Sequence, residues 1–171
     1  PMPLVNFTPS MEVTEVWSKG LSSAEGFLVP AVYDDMVFAA GGKTLTRLNA
    51  RTGETEWSVS FDSPITGGVG SDGYVTAVGL WDGNLEVVDA EGKVSWEKKL
   101  TTELASPPVV SHGLVIARTM DTRVSAFEAS SGELQWTYQK SQPALTVRLP
   151  TRMLAHDNFL LVGQPNGHIV I

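Results

Sequence analysis

The chain has no cysteine among its 171 residues. That excludes disulfides, thiolate metal sites and a cysteine nucleophile. It leaves the compartment open, because cytosol and periplasm both suit a Cys-free chain. Long apolar runs are missing as well. Nothing approaches the roughly 20 residues of a membrane-spanning helix, and no signal peptide is visible, so any targeting segment is expected to have preceded Pro1. Positive charge is scarce and scattered. Twelve Lys+Arg against 19 Asp+Glu give a net charge of −7, and the basic residues form no run. A phosphate-neutralising surface for nucleic acid is therefore excluded, and attraction to anionic lipid is poor. Finally, no stretch sustains a helical hydrophobic period.

What the chain has instead is a period near forty. Trp17, Trp57, Trp96 and Trp136 are spaced by 40, 39 and 40 residues. A fixed period of this size marks an array of one repeated unit. Each of the last three tryptophans ends the same phrase: Leu48-Asn-Ala-Arg-Thr-Gly-Glu-Thr-Glu-Trp57, Val88-Asp-Ala-Glu-Gly-Lys-Val-Ser-Trp96 and Phe127-Glu-Ala-Ser-Ser-Gly-Glu-Leu-Gln-Trp136. Gly53, Gly92 and Gly132 stand where a tight hairpin needs positive φ, and the tryptophan follows on the returning strand.

Upstream of each phrase lie further short runs rich in β-branched residues. Val37-Phe-Ala-Ala, Val75-Thr-Ala-Val and Val115-Ile-Ala-Arg each follow a polar turn, and Leu45-Thr-Arg-Leu, Leu85-Glu-Val-Val and Val124-Ser-Ala-Phe lead into the phrase. Pro30-Ala-Val, the Gly67-Gly-Val segment and Pro107-Pro-Val-Val precede them all. Four short strands per unit of about forty residues read as a blade of an all-β propeller. The expected division is 28–61, 66–100 and 105–140 for three blades, with 143–171 as an incomplete fourth. Residues 10–20, around Trp17, are expected as the closing outer strand of the last blade. Counting forward from Gly167 as from Gly83 puts the next Trp nine residues beyond Ile171, so the chain is expected to be a fragment holding a closing strand, three blades and most of a fourth.

The Gly-x-x-x-Trp endings resemble the repeats of pyrroloquinoline-quinone (PQQ)-type propellers. Within that group the chain resembles the BamB family of outer-membrane assembly lipoproteins. Phe7-Thr-Pro with Val16-Trp17-Ser, Ser106-Pro-Pro-Val-Val-Ser-His-Gly-Leu-Val and Pro143-Ala-Leu-Thr-Val-Arg148 carry that resemblance. It covers essentially the whole chain, but only the N-terminal half of such a protein, and so implies that the chain is part of a ring of about eight blades. It implies a non-catalytic scaffold on the periplasmic face of the outer membrane. The anchor would be a lipidated cysteine lying before Pro1. The implied partners are the POTRA domains of BamA and unfolded outer-membrane proteins.

The connector after Trp136 takes sixteen residues to reach Arg152, against ten from Trp57 to Gly67 and eleven from Trp96 to Pro107. Insertions between repeats map to loops, where contacts concentrate. Apolar side chains with one arginine on such a loop are typical interface anchors. The resemblance implies that Leu145, Val147 and Arg148 contact BamA, although a second leucine is more usual at the position of Val147. The alternative is that the segment is the first strand of the fourth blade with Leu and Val packed inward.

Other residues carry weaker signals. Trp81, in the turn Leu80-Trp-Asp-Gly83, breaks the tryptophan register; it reads as a binding anchor or, more simply, as a ring laid against a neighbouring blade. His112, His156 and His168 lack carboxylates at ligand spacing, so no metal is expected, and His112 and His156 read as equivalent turn residues. Asp34, Asp35, Asp72, Asp82, Asp89, Glu91 and Asp121 fall mainly at turns, where Asp accepts from backbone N–H groups, and no acid–base couple stands out. Gly67-Gly68-Val-Gly70 opens a strand and so lacks the helix dipole of a phosphate loop.

No cofactor is expected. The runner-up reading is a fragment of a PQQ-dependent dehydrogenase, although the vicinal disulfide such enzymes stack on the quinone is unavailable here. Quenching of tryptophan fluorescence by PQQ with calcium would discriminate the two. A generic propeller sensor is the third reading. A half-ring would also leave wet blade faces worth on the order of 10 kcal/mol at about 25 cal/mol per Å², so pairing with a C-terminal half or a second copy is expected.

Overall fold

The computed structural model describes residues 10–23, 26–139, 151–164 and 167–171. The described residues form sixteen strands in four sheets and no helix. The first sheet holds β2 (Ala31–Tyr33), β3 (Met36–Gly41), β4 (Thr44–Asn49) and β5 (Thr55–Ser60). The second holds β6 (Ile65–Ser71), β7 (Thr76–Leu80), β8 (Asn84–Val88) and β9 (Val94–Lys99). The third holds β10 (Val109–Ser111), β11 (Leu114–Arg118), β12 (Val124–Glu128) and β13 (Leu134–Tyr138). The fourth holds β14 (Met153–His156), β15 (Phe159–Gly163) and β16 (Ile169–Val170).

Within each sheet consecutive strands pair antiparallel. The first strands of successive sheets stand side by side: β2 against β6, β6 against β10, and β10 against β14. This is a partial β-propeller, with the innermost strands converging on one axis.

The turns explain the register. Tyr33↔Met36, Ser111↔Leu114 and His156↔Phe159 each close a two-residue loop. Asp34, His112 and Asp157 adopt left-handed φ of 47°, 52° and 48° in them, a region that Asp, Asn and His enter more readily than most residues. His112 is thus inside its turn, whereas His156 ends a strand; the two are offset by one position and are not equivalent.

The core lies between sheets. Phe38, Leu45, Ile65, Val78 and Val88 fill the gap between the first and second sheets. Leu85, Val87, Val115 and Phe127 fill the next, and Ile116, Val124, Met153 and Val162 fill the third. Period-two alternation sends neighbouring residues of β8 to opposite gaps, Val87 to one and Val88 to the other. The glycines of β6 let the sheets approach. A β-carbon on Gly67 would lie 2.8 Å from that of Leu104, and one on Gly70 would collide with the Pro108 carbonyl.

Two features differ from the expectation. Leu28 does not begin the first sheet. It belongs to β1 (Phe27–Leu28), which pairs parallel with β6 and so ties the first sheet's entry to the second. Val29 continues the tie, donating to Gly68 O at 2.7 Å and accepting from Val69 N at 2.8 Å. Residues 10–20, expected as an outer strand, form no strand: no third strand pairs with them among the described residues.

Candidate functional site

The tryptophan period is a sheet-to-sheet latch. The Trp57 indole Nε1 donates to Ala90 O at 2.9 Å, 33 residues on, and Trp96 donates to Ala129 O at 2.8 Å across the same separation. Each ring lies flat over the glycine of the next turn. A β-carbon on Gly92 would sit 2.7 Å from the Trp57 ring, and one on Gly132 would sit 2.7 Å from Trp96. Both glycines have positive φ, 81° and 70°, so the position demands Gly twice over. Trp17 makes the same latch, donating to Ala50 O at 2.9 Å over Gly53. Its segment therefore keeps the docking function of an outer strand without strand pairing. Trp136 makes no such latch among the described residues, and it is 39% exposed.

Three of the turn acids act on backbone. Asp72 Oδ1 accepts from Tyr74 N and Val75 N, Asp82 Oδ1 from Asn84 N, and Asp89 Oδ1 from Glu91 N and Lys93 N, all at 2.8–3.1 Å. These are Asx turns and are thereby accounted for.

Trp81 is not. It is 60% exposed, so most of its side chain is open to solvent and not covered by a neighbouring blade. Its backbone N donates to Pro64 O at 2.8 Å, in the connector between the first two sheets. Each connector leaves a fourth strand and enters the next first strand on the side where the turns between second and third strands lie. Trp81 therefore shares a face with the connectors. Leu145, Val147 and Arg148 lie outside the described residues.

Two adjoining open clefts, about 350 and 300 Å³, lie along the innermost strands and the segments that lead into them. One is lined by Leu28, Val29, Ser106, Pro107, Thr151 and Arg152. The other draws Ala31, Gly70, Val109 and Met153 from the four first strands. Arg152 and Pro107 belong to both, and Arg152 is the only charged residue lining either among the described residues. The Ser106 side chain is fully buried, and its Oγ has no hydrogen-bond partner.

Behind Thr151 sits Arg118, 4% exposed. Its Nη1 donates to Thr151 Oγ1 at 2.6 Å and to Gly163 O at 2.8 Å. Burial pulls its pKa below the ordinary arginine value, with no carboxylate offsetting the cost. Where Ala40, Gly79 and Gly163 pair with the start of a third strand, the third sheet has Arg118 paired with Val124.

One acid escaped the turn rule. Thr46 on β4 meets Ser58 across the strand pair with oxygens 3.1 Å apart, and Ser125 on β12 meets Thr137 at 3.2 Å. At the same place in the second sheet, Glu86 is paired with Glu97. Glu86 is 6% exposed. Burial, then the neighbouring Glu97, then Asp82 and Asp62, push its pKa up to about 7. Alignment of the runs Leu45-Thr-Arg-Leu, Leu85-Glu-Val-Val and Val124-Ser-Ala-Phe exposes Glu86 as the odd residue among hydroxyls, a signal present in the sequence.

Comparison with known proteins fixes the family. The family model described as outer membrane protein assembly factor BamB matches residues 13–64 and 41–171. The BamB of Burkholderia pseudomallei is 37% identical over 173 residues, covering 99% of this chain and 45% of that protein. The chain belongs to the BamB family. The crystal structure of BamB from Moraxella catarrhalis superposes with a TM-score of 0.70 at 27% identity, over 83% of this chain and 43% of that one. The chain thus spans about half the length of the BamB proteins it matches. A quinohemoprotein alcohol dehydrogenase from Pseudomonas putida also superposes, with a TM-score of 0.58 at 22% identity over 70% of this chain and 21% of that chain. At that identity the likeness shows the propeller fold alone.

Proposed function

We propose that this chain is a non-catalytic scaffold of outer-membrane β-barrel assembly, associated with the periplasmic face of the outer membrane through a lipid anchor. The POTRA domains of BamA dock on its connector face, through Leu145, Val147 and Arg148. The observation that carries the reading is Trp81. Trp17, Trp57 and Trp96 are spent on latches, whereas Trp81 is presented to solvent on the face that also receives the connectors. Exposed tryptophan beside a loop with aliphatic residues and arginine suits a hot-spot cluster.

The test is direct. Arg148→Glu should abolish binding to isolated POTRA domains and leave the thermal midpoint unchanged; retained binding refutes the assignment of that arginine. Trp81→Ser should weaken the same interaction about tenfold. Being exposed, it should shift stability by less than about 0.5 kcal/mol.

A further inference from the structure

We propose that the axial cleft is a binding site for an organic carboxylate with an apolar body. The inference goes beyond the scaffold reading and uses none of the residues assigned to partner docking.

Three observations converge. First, the part of the cleft that holds Ser106 is apolar on most of its walls, built by Leu28, Val29 and Pro107. Concave apolar walls with a few placed polar groups are the general form of a small-ligand site. Second, its single charge is positive. In a chain of net charge −7, Arg152 lines both parts of the cleft, makes none of the hydrogen bonds or ion pairs found among the described residues, and is exposed at the cleft mouth. A free guanidinium offers the planar fork that matches a carboxylate. Third, the wall holds a donor with nothing to bond. Ser106 is fully buried and lines the cleft, and its hydroxyl is unpartnered. A buried hydroxyl is costly unless satisfied. Arg118, one residue deeper behind Thr151, adds a second positive charge with no counter-ion among the described residues.

This donor set fits one anionic head. A phosphate dianion needs more donors than one fork and one hydroxyl, and it gains nothing from apolar walls. A carboxylate on an apolar body uses both. Two sources share that chemistry: a fatty acid, and the C-terminus of an apolar peptide.

The full chain should be titrated with sodium octanoate, with octan-1-ol, with N-acetyl-Ala-Val-Leu as acid and as amide, and with inorganic phosphate. Amide resonances of Leu28, Ser106 and Thr151 give the readout. Saturable shifts are expected with octanoate or the peptide acid, and whichever binds tighter names the source. Octanol and the peptide amide should bind at least tenfold more weakly. Arg152→Ala should weaken the carboxylate at least tenfold, Arg152→Lys less so, and Ser106→Ala several-fold, with the remaining resonances unmoved. The proposal is overturned if neither carboxylate saturates, if amide and alcohol bind as well as the acids, if Arg152→Ala leaves affinity unchanged, or if phosphate competes.

Discussion

Replacing Trp57 by alanine is expected to destabilise the protein by about 3 kcal/mol, as large-to-small changes at packed aromatics do. The ring contributes in three ways. It packs on Phe38 of its own sheet, centroids 6.0 Å apart. It covers Gly92 of the next sheet, and it holds Ala90 O through its indole N–H. Trp57→Phe keeps the first two in part and should lose only about 1 kcal/mol, the usual worth of one hydrogen bond. Gly92→Ala attacks the same latch from the other side. Its φ of 81° costs a side chain about 1–2 kcal/mol, and the new β-carbon would displace the ring from its acceptor.

The two changes should not add. With Trp57 already alanine the collision is gone, and Gly92→Ala should then cost only its backbone strain. Denaturant midpoints of the wild type, both single variants and the double variant form the cycle. Coupling beyond about 0.5 kcal/mol is expected, and additive costs would show that ring and glycine act independently.

The latch was legible in the sequence because one environment recurs. Each turn presents a carbonyl and a Cβ-free surface at the same offset, so the chain repeats Trp, Gly and Ala at that offset. The aspartates at turns were legible for the same reason. What repeats is readable from one chain, and what breaks the repeat is readable only by asking what the odd residue touches. Arg118 looked like the end of an apolar run, and only strand pairing shows that it occupies a small-residue position. The parallel pairing of Leu28 with Gly68 had no signal, because a two-residue crossing strand has no period. The axial cleft was invisible, since Leu28, Ser106 and Arg152 come from three repeats and meet only when the first strands converge. Register placed Trp17 in a closing outer strand, but its lack of strand pairing depends on neighbours a repeat count does not supply.

Stability is expected to fall as pH rises through the window from 4.5 to about 7, and Glu86 is the cause. Its pKa is raised from 4.5 to about 7 in the folded chain. Between those values the folded state holds a proton that the unfolded state has released, so unfolding becomes easier with increasing pH. The contribution is complete below pH 4.5 and lost above pH 7. A shift of this size would correspond to about 3 kcal/mol; Glu97 is exposed and screened by water, so a net effect of about 2 kcal/mol is expected.

The structural reason is the pairing itself. The hydroxyl pairs Thr46–Ser58 and Ser125–Thr137 carry a proton of their own at any pH. Two carboxylates at that position need a shared proton, and Asp82 and Asp62 add to the repulsion. Glu86→Gln supplies the missing donor permanently. It should flatten the stability profile between pH 4.5 and 7, leave stability at pH 4.5 within about 0.5 kcal/mol of the parent, and raise it by about 1–2 kcal/mol at pH 8. Denaturant unfolding of both proteins across that range measures the difference. An unaltered slope in Glu86→Gln would assign the pH dependence to another group.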